Sequence, residues 1–145
     1  MALGIGYTIN QAKSQFFDQQ KVLRPKDRAV RRVLSRFGAF VRTTARRSIR
    51  RRKRSSEPGQ PPRSHTGLLR RLIFFAYEPT SENVVIGPAD LSSKRGDAPH
   101  ALEEGGRSQI GPQQTAYIEP RPYMGPAFKT EREKNMPDMW RDSIR

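Results

Sequence analysis

The chain has no cysteine among its 145 residues. Disulfides, thiolate zinc sites and a cysteine nucleophile are therefore excluded. No apolar run approaches the roughly 20 residues that span a bilayer. The start, MALGIGYTINQAKSQ, lacks the basic and apolar regions of a signal peptide. We therefore expect a protein that is made and used without export and has no membrane partner.

Hydrophobic residues are also scarce. They make up 34% of the chain, against 29% charged residues, and glycine and proline add 11 and 12 residues. A chain of this length corresponds to one domain. We expect a single domain over residues 1–145, with extended arms and a small core that neighbouring subunits complete.

Acidic residues are almost missing from the first half of the chain. Residues 1–63 contain 17 of the 28 lysines and arginines but only three acids, so they carry the whole net charge of +14. Residues 64–145 contain 11 residues of each sign. Because self-repulsion costs stability, the basic half is expected to meet nucleic acid, an anionic surface or an acidic protein.

Residues 27–54 are predicted to form a basic amphipathic helix, beginning at Pro25 and Asp27. At ~100° per residue its apolar arc contains Val30, Val33, Leu34, Phe37, Val41, Thr44, Ala45 and Ser48. The opposite arc and the basic run after it define what we call the arginine surface: Arg28, Arg31, Arg32, Arg36, Arg42, Arg46, Arg47, Arg50, Arg51, Arg52, Lys53 and Arg54. No acid is interleaved, so we expect this surface to face an anion, either a phosphate backbone or an acidic protein.

The other segments predict smaller elements. They are an N-terminal arm (1–26), a proline-rich linker (55–65), a short helix from Gly67, strands at 73–77, 83–86 and 115–119, a helical turn at 100–104, loops at 90–99 and 107–116, and a C-terminal helical segment (121–145) broken near Pro137. This order predicts an α+β fold in which the long N-terminal helix packs on a small antiparallel sheet, with extended loops and a C-terminal helix.

No motif indicates catalysis or a bound cofactor. His100 and Glu103 have helical spacing, but only Asp90 and Asp97 are near enough in sequence to complete a metal site, so capping and ion pairing with Glu103 and Glu104 are the better account. The chain has neither a nucleophile elbow nor a glycine-rich phosphate loop. We expect no enzyme activity, no cofactor and no metal.

Several short motifs occur in a suggestive order. They are Pro58-Gly59-Gln60-Pro61-Pro62 with Thr66-Gly67-Leu68-Leu69, Val84-Val85-Ile86-Gly87-Pro88, His100-Ala101-Leu102-Glu103-Glu104-Gly105-Gly106, and Arg121-Pro122-Tyr123-Met124-Gly125-Pro126-Ala127-Phe128. This order resembles the tailed-phage tail-completion and head–tail joining (neck) family, which includes proteins similar to minor tail protein Z. Two features depart from the family pattern: Glu104-Gly105-Gly106 stands where many relatives have Phe-Gly-Thr, and the basic run Arg50–Arg54 is denser than the family leads us to expect.

The resemblance implies a structural virion protein of the neck or tail, assembled in the host cytoplasm. It implies a homo-oligomer, a hexameric ring that joins the portal-adaptor stack to the tail. Its partners would be adaptor or connector proteins and tail terminator or tail tube proteins, and genomic dsDNA would pass through the lumen. Residues 90–115 are expected to form an arm over the adjacent subunit.

One segment is a candidate docking site for such a partner: Arg121, Pro122, Tyr123 and Met124. Its prolines restrict the backbone, so Tyr123 and Met124 could serve as apolar anchors or could pack against the domain's own helix. The alternative function is a free basic nucleic-acid-binding protein of ribosomal or nucleoid type. The basic half favours this alternative, whereas the neutral C-terminal half does not.

Overall fold

The computed structural model describes residues 19–89, 98–109 and 113–143. Five helices and four strands occur in this part of the chain: α1 (Gln19–Ser48), α2 (Leu68–Arg71), β1 (Ile73–Glu78), β2 (Asn83–Pro88), α3 (Ala98–Glu104), β3 (Gly106–Gln109), β4 (Thr115–Ile118), α4 (Met124–Lys134) and α5 (Met136–Ser143). The fold is α+β, as the sequence predicts, with the long helix packed on a small antiparallel hairpin and on the C-terminal helices.

Helix α1 forms the centre of the core through a row of side chains four residues apart. The row is Val33, Phe37, Val41 and Ala45, all buried, and it continues beyond the helix into buried Ile49. A four-residue spacing places side chains along one ridge of an α-helix. The apolar arc predicted from the sequence is therefore confirmed, since its other members are partly buried beside this row.

The predicted start of this helix is wrong. α1 is already helical at Gln19, so Pro25 lies inside it rather than at its first turn. Proline removes one helical hydrogen bond and leaves a carbonyl without its partner. Residues 23–28 are all exposed, so the helical turn that contains Pro25 lies at the surface. The remainder of the proposed arm, residues 1–18, lies outside the described residues.

The predicted end of the helix is also wrong, because α1 stops at Ser48 rather than Arg54. Ile49 turns into the core with 1% of its surface exposed. Arg50 then forms a parallel β-bridge to Arg63, and its carbonyl accepts the N–H of Ser64 at 3.0 Å. An extended backbone also separates consecutive cations more widely than a helix does.

Strands β1 and β2 form the predicted antiparallel hairpin, with Phe75 opposite Ile86 and Tyr77 opposite Val84. Alternate residues face α1: Ile73 is fully buried, and Val84 and Ile86 pack against the core. Gly38 allows this close contact, because a Cβ there would lie 2.8 Å from the Phe75 ring and 2.9 Å from a Val84 methyl.

A second hairpin replaces part of a predicted loop. β4 was expected near residues 115–119, but its partner β3 falls in the segment 107–116 that reads as loop. β3 reads Gly-Arg-Ser-Gln, which has low strand propensity, so pairing with β4 rather than local preference places it in a strand. The described part of the proposed arm therefore folds on its own chain as α3, β3 and β4.

The C-terminal helices close the core on the other side of α1. Tyr123, Ala127 and Met139 are buried, and the Phe128 ring meets Phe37 edge to face with 5.4 Å between centroids. The predicted break near Pro137 is confirmed, because α4 ends at Lys134 and Pro137 occupies the first turn of α5. Proline is favourable at that position.

One buried polar contact joins α1 to α4. The Glu131 carboxylate, 6% exposed, accepts a hydrogen bond of 2.5 Å from the Thr44 hydroxyl and another from the Asn135 amide. A buried charge without partners would be costly, so these two donors make the position of Glu131 tolerable. The bond from Thr44 also fixes α1 against α4.

The proline-rich segment is packed rather than a free linker. Pro62 and Ser56 are buried, and the Gly59 N–H donates to the Pro120 carbonyl at 2.9 Å. The Arg121 Nε donates to the Ser56 carbonyl at 3.0 Å. The predicted linker at 55–65 is non-helical in the structure, and these contacts attach it to the segment before α4.

Candidate anion-facing surface

The arginine surface is largely exposed. On α1 it includes the exposed side chains of Arg28, Arg31, Arg32, Arg36 and Arg47. Among residues 19–89, 98–109 and 113–143, no ion pair joins a member of the arginine surface to a carboxylate. A solvated helix ordinarily mixes signs at i,i+4 spacing, so this face has no internal neutralisation of that kind.

Two arginines differ from the rest because they are only partly exposed. The Arg42 Nε donates to the Ile73 carbonyl at 2.8 Å, and its guanidinium lies 5.9 Å from the centre of the Phe74 ring. Arg46 is half-buried. The prediction that Arg42 belongs to a free cationic face is corrected by this geometry, which assigns it to the junction of α1 and β1.

The dense basic run occupies a non-helical segment after α1. Arg50, Arg51, Arg52, Lys53 and Arg54 are all exposed. The sequence places this run in the last helical turn, where the helix dipole would favour it. The structure instead adds it to the surface as a strip that continues from the end of the helix, beside the chain at Arg63.

The opposite end of α1 has a local ion pair. Lys26 Nζ lies 2.9 Å from the Glu82 carboxylate in the β1–β2 turn and 3.4 Å from Asp27. The hydrogen bond to Glu82, followed by its charge, raises the pKa of Lys26 above its ordinary value. The unneutralised charge therefore begins after this pair, at Arg28.

A cleft opens where the helix, the basic run and the proline-rich segment meet. Its volume is about 370 Å³, and its lining includes Arg47, Arg50 and Arg63 together with Ser56 and Glu57. Periodicity did not identify this cleft, because Arg63 comes from a separate segment. Only the Arg50–Arg63 bridge brings that residue beside the end of the helix.

The candidate docking segment is held inside the domain. Tyr123 is 1% exposed and belongs to the core, and Met124 packs against that core. Tyr123 is therefore not a surface anchor: packing against the chain's own α1 is the observed arrangement. Arg121 donates to the carbonyls of Ser56 and Glu119, and its N–H donates to Leu102. Pro122 is half-buried between them.

The acidic residues of α3 act as predicted, in capping and ion pairing. The Glu103 carboxylate accepts the backbone N–H groups of Tyr123, Met124 and Gly125 at 2.9, 3.0 and 2.7 Å. These are donors that the first turn of α4 leaves without helical partners. His100 Nδ1 lies 3.7 Å from Glu104. Within the described ranges, no three potential ligand residues form a metal cluster.

Parts of three of the four motifs, which are widely separated in sequence, therefore meet at one place. The proline-rich segment, α3 and the chain before α4 are joined by the bonds to Ser56, Leu102 and Glu103. This junction orients α4 on α1 and fixes the wall of the cleft. The motifs accordingly have a structural role in this chain.

Apolar side chains remain exposed on the outer faces of both hairpins. Val85 is 63% exposed and Phe74 49% on the first hairpin, and Tyr117 is 68% exposed on the second. In the part of the chain that the structure describes, no helix has the length and apolar character to cross a bilayer. The exposed residues lie on strand faces that the rest of the described residues leave uncovered.

The chain was compared with protein families, curated proteins and solved structures. No family profile, curated protein or solved structure matches it.

Proposed function

We propose that this chain is a structural subunit of the tailed-phage neck, a ring-forming tail-completion or head–tail connector protein and not an enzyme. It joins the portal-adaptor stack to the tail, contacts adaptor or connector proteins on one side and tail terminator or tail tube proteins on the other, and leaves a lumen for genomic dsDNA. Its place is the virion, after assembly in the host cytoplasm.

The observation that carries the proposal is the unneutralised arginine surface on a rigid helix. The arginines from Arg28 to Arg36 are exposed, while the opposite side of the same helix forms the core. The fold therefore fixes the direction of the charge. Such a surface supports binding to an oppositely charged partner, because complementary charge increases association rates and selects against wrong partners.

The exposed strand faces support self-association. Phe74 and Val85 lie close together on the outer face of one hairpin, since Phe74 pairs with Gly87 and Val85 with Ala76. The first hairpin has only two strands, so both of its edges lack strand partners within the described residues. An apolar face with open edges suits contact with another subunit, which would bury the apolar side chains that the described residues leave exposed.

Of the two anions, we favour the acidic face of a neighbouring protein over DNA. A strongly cationic lumen would make many phosphate contacts, and each released counterion adds affinity that slows sliding. The arginines are also not interleaved with aromatic side chains along the exposed arc, apart from Phe40 beside Arg36 at 5.8 Å. Stacking platforms for bases need several such rings.

The proposal is tested on the purified full chain at moderate salt. Native mass spectrometry measures its oligomeric state, and a filter-retention assay measures binding to a mixed-sequence DNA duplex. A discrete closed oligomer without tight duplex binding is the expected result. A monomer that binds duplex or RNA tightly, and releases it as salt rises, would overturn the proposal in favour of a free nucleic-acid-binding protein.

A further inference from the structure

The cleft at the end of α1 combines features that the arginine surface as a whole does not share. Arg47 comes from the last helical turn, Arg50 from the segment after it, and Arg63 from the proline-rich segment. All three side chains are exposed. Glu57 is the acid in the lining, and no ion pair within the described residues connects it to any of the three arginines.

Ser56 gives a second, independent indication. Its side chain is 6% exposed, it lines the cleft, and its hydroxyl has no hydrogen-bond partner among the described residues. Its backbone carbonyl is already engaged by Arg121, so the residue is held in place. An unpartnered buried hydroxyl is destabilising, so its presence in a lining that also contains three arginines needs an explanation.

The helix dipole explains only part of this arrangement. Arg47 in the last turn is favoured by the exposed carbonyls of α1, as any cation at a helix C-terminus would be. The bridge to Arg50 brings Arg63 to the end of the helix, where its Nη1 donates to the Ser55 carbonyl at 3.3 Å. These contacts leave Arg63 without an acidic partner and the buried Ser56 hydroxyl without any partner among the described residues. Both features are explained if the cleft receives an anion that accepts several hydrogen bonds.

We propose that this cleft binds a phosphate group. A carboxylate presents two oxygens, which one arginine fork satisfies, whereas a phosphate presents three or four. Three guanidinium groups and the Ser56 hydroxyl match the larger set of acceptors. With Glu57 counted, the lining has a net charge of two, close to the charge of a phosphate monoester at neutral pH. A cleft of about 370 Å³ also has room for what carries the phosphate.

This inference does not depend on the proposed neck function, because it concerns the free chain and a single phosphate group. The group could be free or belong to a nucleic-acid backbone. The shared chemistry is bidentate recognition by arginine with one hydroxyl donor. Comparing inorganic phosphate with a DNA duplex on the same variants distinguishes a free phosphate compound from a nucleic-acid backbone.

The test measures inorganic phosphate binding by titration calorimetry at constant ionic strength, with chloride as the balancing anion. Arg47→Gln removes one guanidinium group from the cleft and should weaken phosphate binding roughly tenfold. Ser56→Ala should weaken it about fivefold while leaving the unliganded protein at least as stable, since it removes an unpartnered hydroxyl. Arg31→Gln, on the same helix but outside the cleft, is the matched control and should bind like the wild type.

Binding that never saturates in the wild type would overturn the proposal. So would equal losses in Arg31→Gln and Arg47→Gln, which indicate diffuse charge, or wild-type affinity in both cleft variants. A mixed-sequence duplex is then added to the phosphate-loaded protein. Displacement of phosphate assigns the site to a nucleic-acid backbone, and retention assigns it to a small phosphate compound; either result supports a phosphate site.

Discussion

Replacing Gly38 by alanine tests the contact between α1 and the first hairpin. The added Cβ would lie 2.8 Å from the Cδ2 atom of Phe75 and 2.9 Å from a Cγ2 methyl of Val84. Carbon atoms ordinarily approach to about 3.5–4.0 Å, so the hairpin must move away from the helix by more than half an ångström. Gly38 is buried, and both neighbours pack on the core side of the strands.

Two effects of opposite sign determine the result. Overpacking of this kind costs roughly 1–3 kcal/mol. Alanine in place of glycine inside a helix contributes about 1 kcal/mol of stability in return. We therefore expect Gly38→Ala to lower the free energy of unfolding by about 1 kcal/mol. Urea denaturation followed by the helical circular-dichroism signal, at one fixed protein concentration, measures the change.

A double-mutant cycle separates the clash from propensity. Val84→Ala removes the methyl that the new Cβ meets, so the double variant should be more stable than the sum of the two single changes predicts, by about 0.5–1 kcal/mol. If Gly38→Ala instead stabilises the protein by the full propensity gain, or if the two changes simply add, the described contact between α1 and β2 is not present in solution.

Four further changes test the junction and the core. Glu103→Ala removes the acceptor of three N–H groups at the start of α4 and should cost about 1–2 kcal/mol in urea denaturation. Glu104→Ala removes an exposed carboxylate whose ion-pair partner among the described residues is His100, and it should cost less than about 0.5 kcal/mol; equal costs would contradict the capping role of Glu103. Glu131→Ala leaves the partly buried Thr44 hydroxyl without its acceptor and should cost about 1–3 kcal/mol, whereas Glu131→Gln retains an acceptor and should cost less; no difference between the two would argue against that bond.

Periodic patterns identified the large elements of the fold. The apolar row of α1 and the alternation in β1 and β2 repeat often enough that local preference and burial agree. The predicted ends of α1 were wrong because each end depends on a single residue rather than on a repeated pattern. Pro25 is accommodated inside the helix because its turn is exposed to solvent. The helix ends before Arg50 because Ile49 is buried in the core.

The site was only partly predictable for a related reason. The exposed arginines of α1 follow from helical angles, because those angles fix the side opposite the core. The cleft depends on a bridge between Arg50 and Arg63, and the capping of α4 depends on Glu103, twenty positions away from Tyr123. No sequence period relates such partners. Tyr123 could be assigned to the core only once α4 was placed on α1.

We propose above that the arginine surface of α1 joins this protein to an acidic partner. The most direct test reverses its charge in Arg28→Glu, Arg31→Glu and Arg32→Glu, all exposed and opposite the core. The control reverses three exposed cations elsewhere: Arg70, Arg132 and Lys134. Head–tail joining is scored by electron microscopy in lysates supplied with either variant. We expect separate heads and tails with the variant that reverses Arg28, Arg31 and Arg32, and joined particles with the control. Normal joining with both variants would show that the arginine surface is not needed for this contact.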